Sequence, residues 1–211
     1  MIDLYAWRTG NGRKPIIALE ELGLDHRIHP INIWERGGRE MPEYLKIHPV
    51  GQVPAMIDSD GPGGKPIKLI ESVLILMYLA EKTGKLLPAD PVVRWEVMQW
   101  TIFHAASSVP VLDQLYWFIN HAPEQPPFVI EHFREESENR LGVLDRLLEG
   151  REWLVGEYSI ADIAHYSPIN SMEWFKMGID ISKFPNLSAW RDRMTARPAV
   201  ARAMSFLPEP A

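Results

Sequence analysis

Gln52-Val53-Pro54-Ala55-Met56-Ile57-Asp58 and, beyond a glycine-rich turn, Ile67-Lys68-Leu69-Ile70-Glu71-Ser72 decide how this chain reads. Ala55 to Asp58 and Lys65 to Ile70 are short apolar runs. Asp60-Gly61-Pro62-Gly63-Gly64 between them carries turn residues, so the pair predicts a hairpin with a longer loop. Glu71 to Thr83 then changes to a helical pattern with apolar residues on nearly every face, and a helix of that kind is expected to be buried all round. Strand, turn, strand, helix is half of a small α/β unit.

The segment N-terminal to it supplies the other half. Ile2 to Ala6 is a short apolar strand, and Thr9-Gly10-Asn11-Gly12 is a loop. Pro15 marks an expected helix start, because a missing N–H is tolerated in a first turn. Ile16, Leu19 and Leu22 keep helical spacing, with Gly23 as the stop. His26 to Ile33 reads as a second strand. C-terminal to Thr83, residues 85–91 (KLLPADP) are a linker by composition, and the strand signals end. Val92 to Asn120 is an expected helix, bent or broken near Pro110. Pro126-Pro127 opens another, Ser159 to about Met177 makes a third and Asn186 to Arg197 a fourth. Residues 1–84 therefore read as an α/β domain and 92–211 as an all-helical one.

Composition narrows the function. The chain has 211 residues, 46% of them hydrophobic and 24% charged, with a formal charge of -6. So acidic a chain is poorly equipped to neutralise phosphates, which argues against nucleic acid as a partner. There are no cysteines, so any thiol chemistry must take its sulfur from a ligand. The first residues lack the apolar core of about 7–15 residues that a signal peptide needs. The longest apolar run, Val73 to Ala80, is far short of the roughly 20 residues that span a bilayer. A soluble, cytoplasmic protein away from membranes is expected. The seven histidines show no metal-ligand spacing, so no metal is expected.

The elements and their motifs together resemble the glutathione transferase superfamily, and most closely its bacterial nu-class and fungal Ure2-like members. The residues behind this are Ile2-Asp3-Leu4-Tyr5, Thr9-x-Asn11-Gly12-x-Lys14 and Gln52-Val53-Pro54-Ala55. Glu71-Ser72 with the helix to Gly84, and Ser159-Ile160-Ala161-Asp162, complete the set. The resemblance spans nearly the whole chain. It implies a thioredoxin-like N-terminal domain, an all-α C-terminal domain, a homodimer, and glutathione as co-substrate.

It also implies roles. Thr9 and Asn11 would stabilise the glutathione thiolate, although each also reads as an ordinary loop or capping residue. Tyr5, which some classes use for the thiol, lies inside the strand and reads as core. Val53 would offer its backbone to the cysteinyl amide beside a cis Pro54. Ser72 would hold the γ-glutamyl carboxylate, Glu71 its ammonium, and Gln52 a second amide contact; many relatives carry Lys at that last position. In nu-like relatives a basic residue on the second helix of the helical domain reaches across to a neighbouring subunit's ligand; here His132 stands at its place with Arg134 two residues on, which departs from that pattern, and for either residue a solvated helix face is the first reading. Trp7, Tyr116, Trp117 and Trp174 are candidates for a second-substrate pocket. Ser159-x-x-Asp162 follows capping-box logic, with a structural role only.

Three functions follow from the resemblance. The first is a glutathione-dependent thiol-disulfide oxidoreductase or peroxide reductase. The second is a transferase conjugating glutathione to an electrophile. The third is a non-catalytic glutathione-binding regulatory module.

Overall fold

The structure is a computed structural model that describes residues 1–34, 38, 40–172 and 176–206. They form two compact units, Met1–Lys85 with Ala196–Ala211, and Leu86–Thr195.

The first unit runs β1 (Ile2–Ala6), α1 (Gly10–Leu22), β2 (His26–Pro30), α2 (Pro42–Leu45), β3 (Ala55–Asp58), β4 (Ile67–Ile70) and α3 (Ser72–Thr83). The strands form one sheet in the order β2-β1-β3-β4. β1 is parallel to β2 and antiparallel to β3, and β3 is antiparallel to β4. Ile2, Leu4 and Ala6 alternate into the core, as period-two strands do. The hairpin and the strand–loop–helix–strand order match the sequence reading. The second strand ends at Pro30 rather than Ile33.

α1 starts earlier than Pro15 suggests. Thr9 is its N-cap, and Pro15 lies inside the helix. There the proline leaves the Asn11 carbonyl without the N–H that an α-helix would direct at it. Gly23, at φ 64°, ends the helix in the left-handed region that glycine tolerates. α3 buries Val73, Ile75, Leu76, Leu79 and Ala80, but Leu74 remains 46% exposed, so burial is not all round as expected. Its far end is tied to β3. Asp58 accepts a hydrogen bond from the Tyr78 hydroxyl at 2.6 Å and pairs with Lys82 at 2.9 Å. Burial pushes the Asp58 carboxyl up, yet the bonds from Tyr78, Lys82 and the Asp60 N–H outweigh it and hold the group below its ordinary range.

The second unit is helical: α4 (Pro91–Phe103), α5 (Val109–Asn120), α6 (Pro127–Leu147), α7 (Ile160–Ser171) and α8 (Pro185–Thr195). The break expected near Pro110 is a single π-helical turn, His104–Ser108, between α4 and α5. Pro110 cannot donate to the carbonyl four residues back, and a π-turn is one way to absorb that loss. α7 opens on a full capping box. The Asp162 carboxylate accepts from the Ser159 N–H at 3.0 Å and hydroxyl at 3.2 Å, the Leu154 N–H at 3.0 Å and the Trp190 indole at 2.9 Å. Burial pushes this carboxyl up to about 6, against the pull of those four donors.

A last helix, α9 (Pro198–Ser205), belongs to the first unit, although by chain order it falls in the predicted all-helical segment. Two ion pairs bind it to α1. Arg197 forks onto Glu21 at 2.6 and 3.0 Å, and Arg202 reaches Glu20 at 2.7 Å.

Candidate functional site

The sheet register gathers the predicted site at one end of the first unit. Tyr5 pairs with Ala55, and Ala55 pairs with Ile70. Pro54 directly precedes Ala55, Ala6 follows Tyr5 and Glu71 follows Ile70, so all three lie one residue beyond these pairs. The loop leaving β1 with Thr9, the Val53-Pro54 entry to β3 and the Glu71-Ser72 exit from β4 therefore share one edge. The Val53-Pro54 peptide is cis, as the resemblance implies.

Thr9 Oγ1 accepts from the Gly12 N–H at 2.9 Å, closing the first turn of α1. A hydroxyl has two lone pairs and one O–H, so this cap leaves the O–H to donate elsewhere. Gly12 is required by space: a Cβ there would lie 2.0 Å from the Trp7 carbonyl oxygen. No acidic side chain lies in this first turn. Its positive end is therefore not neutralised from within the turn.

Asn11 Oδ1 accepts from Lys14 Nζ at 2.6 Å. An ammonium only donates, so the amide atom facing it is the oxygen, and the two amide N–H bonds point away from Lys14. Lys14 is 1% exposed, and its Nζ also reaches Ser72 Oγ at 3.5 Å. It links the start of α1 to the start of α3. The sequence reading quotes Lys14 within its motif but gives it no role. Its helical spacing from Asn11 is the signal that could have found it.

Glu71, the residue before α3, is exposed and takes φ 71°. A non-glycine residue in that region carries strain of about 1–3 kcal/mol, which is characteristic of functional positions. His48, also absent from the sequence reading, is 6% exposed. Burial lowers its pKa, while the Glu71 charge pulls the other way. The Tyr44 hydroxyl donates to the Gln52 carbonyl and so fixes the loop ahead of Val53. Gln52 itself is exposed and Val53 is buried.

Tyr5 stacks on His29 with ring centres 4.7 Å apart and leans on Tyr44 at 5.8 Å. Burial, with the Asp3 charge adding to it, raises its pKa. Its ring packs against the core cluster of Ile31, Tyr44, Val53 and Ala55.

Trp7 packs against the same core cluster. It follows β1, with its ring edge-on to Trp34 at 6.2 Å. The Arg8 guanidinium lies 5.3 Å from the Trp7 ring and 4.9 Å from that of Trp34. Tyr116 and Trp117 are on α5 of the second unit, where the Tyr116 hydroxyl bonds His121 at 2.9 Å and Trp117 is 44% exposed. His132 and Arg134 are on α6. There His132 meets Phe133 at 5.3 Å and Arg134 pairs with Glu131 of its own helix. Trp174 lies outside the described residues. Among the described residues no group of three or more metal-ligating side chains occurs, and no helix is long and apolar enough to cross a membrane.

Comparison with known proteins gives a consistent set. The family model for the glutathione S-transferase N-terminal domain matches residues 11–82, and that for the C-terminal domain matches 109–198. The disulfide-bond oxidoreductase YfcG of Escherichia coli K12 is 39% identical over 206 residues, which is 97% of this chain and 94% of that protein. A glutathione transferase from Pseudomonas putida, solved with one glutathione disulfide per subunit, superposes with a TM-score of 0.92 at 34% identity, covering 97% of this chain and 91% of that one. One from Burkholderia graminis, solved with two glutathione molecules per subunit, gives 0.93 at 38% identity over 97% and 88%.

Proposed function

Because the chain belongs to the glutathione S-transferase family, we propose that it reduces small disulfides with a bound glutathione thiolate held at the open N-terminus of α1. The observation that carries this is the pair of donors left available there, the Thr9 hydroxyl and the Asn11 amide, in a chain with no cysteine of its own. A free thiol has a pKa of about 8.5, and lowering it by about two units takes roughly 2.7 kcal/mol. A helix N-terminus contributes about 0.3–2 kcal/mol, and a hydrogen bond to a charged group about 1.5–3 kcal/mol. Together they reach the required amount.

The thiolate attacks one sulfur of the disulfide. A mixed disulfide with glutathione forms and the other sulfur leaves as a thiolate. A second glutathione thiolate then attacks the glutathione sulfur of that intermediate, giving glutathione disulfide and the second free thiol. Two glutathione molecules are oxidised for each disulfide reduced. Val53 presents its backbone to the cysteinyl unit, with Gln52 beside it. Ser72 and the N-terminus of α3 hold the γ-glutamyl carboxylate, and Glu71 its ammonium. Trp7, Tyr116, Trp117 and Trp174 are candidates for the second-substrate pocket, and His132 and Arg134 are candidates for contact with a neighbouring subunit's ligand.

The protein is proposed to work in the cytoplasm as a homodimer. In support, Val92, Trp95 and Ile102 lie along one stripe of α4 and are 68%, 68% and 48% exposed. A single monomer boundary in sedimentation velocity at micromolar concentration would remove this part.

Conjugation to an electrophile uses the same thiolate, and a peroxide can take the place of the disulfide. Turnover of a small disulfide, a hydroperoxide and an aryl halide, measured side by side, separates them. Disulfide turnover well above halide turnover is expected. Turnover of the halide alone would overturn the assignment.

A further inference from the structure

We infer that Lys14 is a positioning residue for thiolate formation, aiming the Asn11 amide at the sulfur and tying that donor to the glutamyl anchor at Ser72. This rests on the reading just given. Lys14 is 1% exposed, and lysine is rarely buried so completely. A side chain that only filled space there would be better served by an apolar residue, since burying a charge is costly. Instead the ammonium lies on two groups that meet different parts of the proposed tripeptide, Asn11 Oδ1 at 2.6 Å beside the cysteinyl sulfur and Ser72 Oγ at 3.5 Å beside the γ-glutamyl end.

Three consequences follow. The Asn11 amide has one orientation, because only its oxygen can face the ammonium; its N–H bonds turn to the other side, where a sulfur anion would accept them. The second consequence is electrostatic. A positive charge shielded from water acts over a longer range than an exposed one, so it adds to the field at the α1 N-terminus. The third is a link between the two ends of the site: seating a carboxylate at Ser72 draws on the same ammonium that orients the thiol donor. The arrangement serves formation of the anion more than capture of the neutral tripeptide.

The test uses the full-length protein with Lys14→Met, Lys14→Gln and Lys14→Arg. The readouts are glutathione uptake by calorimetry and the pH profile of kcat/KM with a small disulfide. The Met variant should move the acidic limb of the profile upward by roughly one pH unit, lowering kcat about tenfold near neutrality with a smaller change in KM. The Arg variant should recover most of the loss. Profiles of the Met variant that superimpose on the wild type would overturn the inference. If the Met variant does not fold, the Gln variant, also uncharged, decides on the same criterion. Wild-type protein that takes up no glutathione would instead remove the underlying reading, and this inference with it.

Discussion

The helices α1 and α7 both begin on a hydroxyl cap, and they are completed in opposite ways. At α7 the third residue after Ser159 is Asp162, whose carboxylate accepts four hydrogen bonds. That terminus is closed by the chain itself. At α1 the third residue after Thr9 is Gly12, and no acidic side chain lies in the first turn. Thr9 Oγ1 and Asn11 Oδ1 each accept a hydrogen bond, which leaves the Thr9 O–H and the Asn11 N–H bonds to donate, beside the buried Lys14. The same local motif is a structural joint where an internal anion satisfies it; at α1, in the function proposed above, the anion comes from the ligand.

The largest effect should come from opening the closed terminus. Asp162→Ala leaves the Trp190 indole and two backbone N–H groups buried without acceptors, and should lower stability by about 3–5 kcal/mol in urea unfolding. A loss under about 1 kcal/mol would erase the contrast. This carboxyl also sharpens it through pH. Its folded-state pKa is raised by burial to about 6, above the ordinary aspartate value of 3.8, so the folded protein holds the proton more tightly than the unfolded chain. The stability this adds is full below the lower value and is lost as pH rises through the higher one. The advantage of wild type over Asp162→Asn should shrink by about 2–3 kcal/mol between about pH 4 and pH 7. An advantage that grew over that interval would show a carboxylate ionised throughout.

At the open terminus the effects should fall on chemistry instead. Thr9→Ala and Asn11→Ala should each reduce kcat about 10- to 100-fold, through hydrogen bonds to a charged sulfur, and change glutathione Kd much less. Stability should drop by about 1 kcal/mol for the threonine, as for any lost cap. Unchanged turnover in both variants would leave α1 no different in kind from α7. A smaller effect is expected at Glu71, held at φ 71°. Glu71→Gly relieves that strain and should raise stability by up to about 1 kcal/mol, while weakening glutathione binding about tenfold. Tighter or equal binding would mean the strained conformation has no part in the site.

The sequence carried much of this, because its strongest signals are local. The glycine-rich turn between two apolar runs, the proline opening β3 and the abrupt change to helical periodicity at Glu71-Ser72 each act within a few residues. The start of α1 was less legible: Pro15 is a strong marker of a first turn, but the cap at Thr9 and the close approach of Gly12 to Trp7 outweigh it. Two tertiary effects left no local trace. α9 packs beside α1 through Glu20 and Glu21, more than 170 positions away in sequence. Lys14 was visible as a letter in a motif. That its charge is buried between Asn11 and Ser72 depends on two helix starts 58 residues apart.

The most direct test of the difference between the two termini is an ultraviolet titration of the thiolate of reduced glutathione bound to the wild-type protein. An open, positively biased α1 terminus predicts a midpoint about two pH units below that of free glutathione. A bound thiol titrating where the free one does would contradict it.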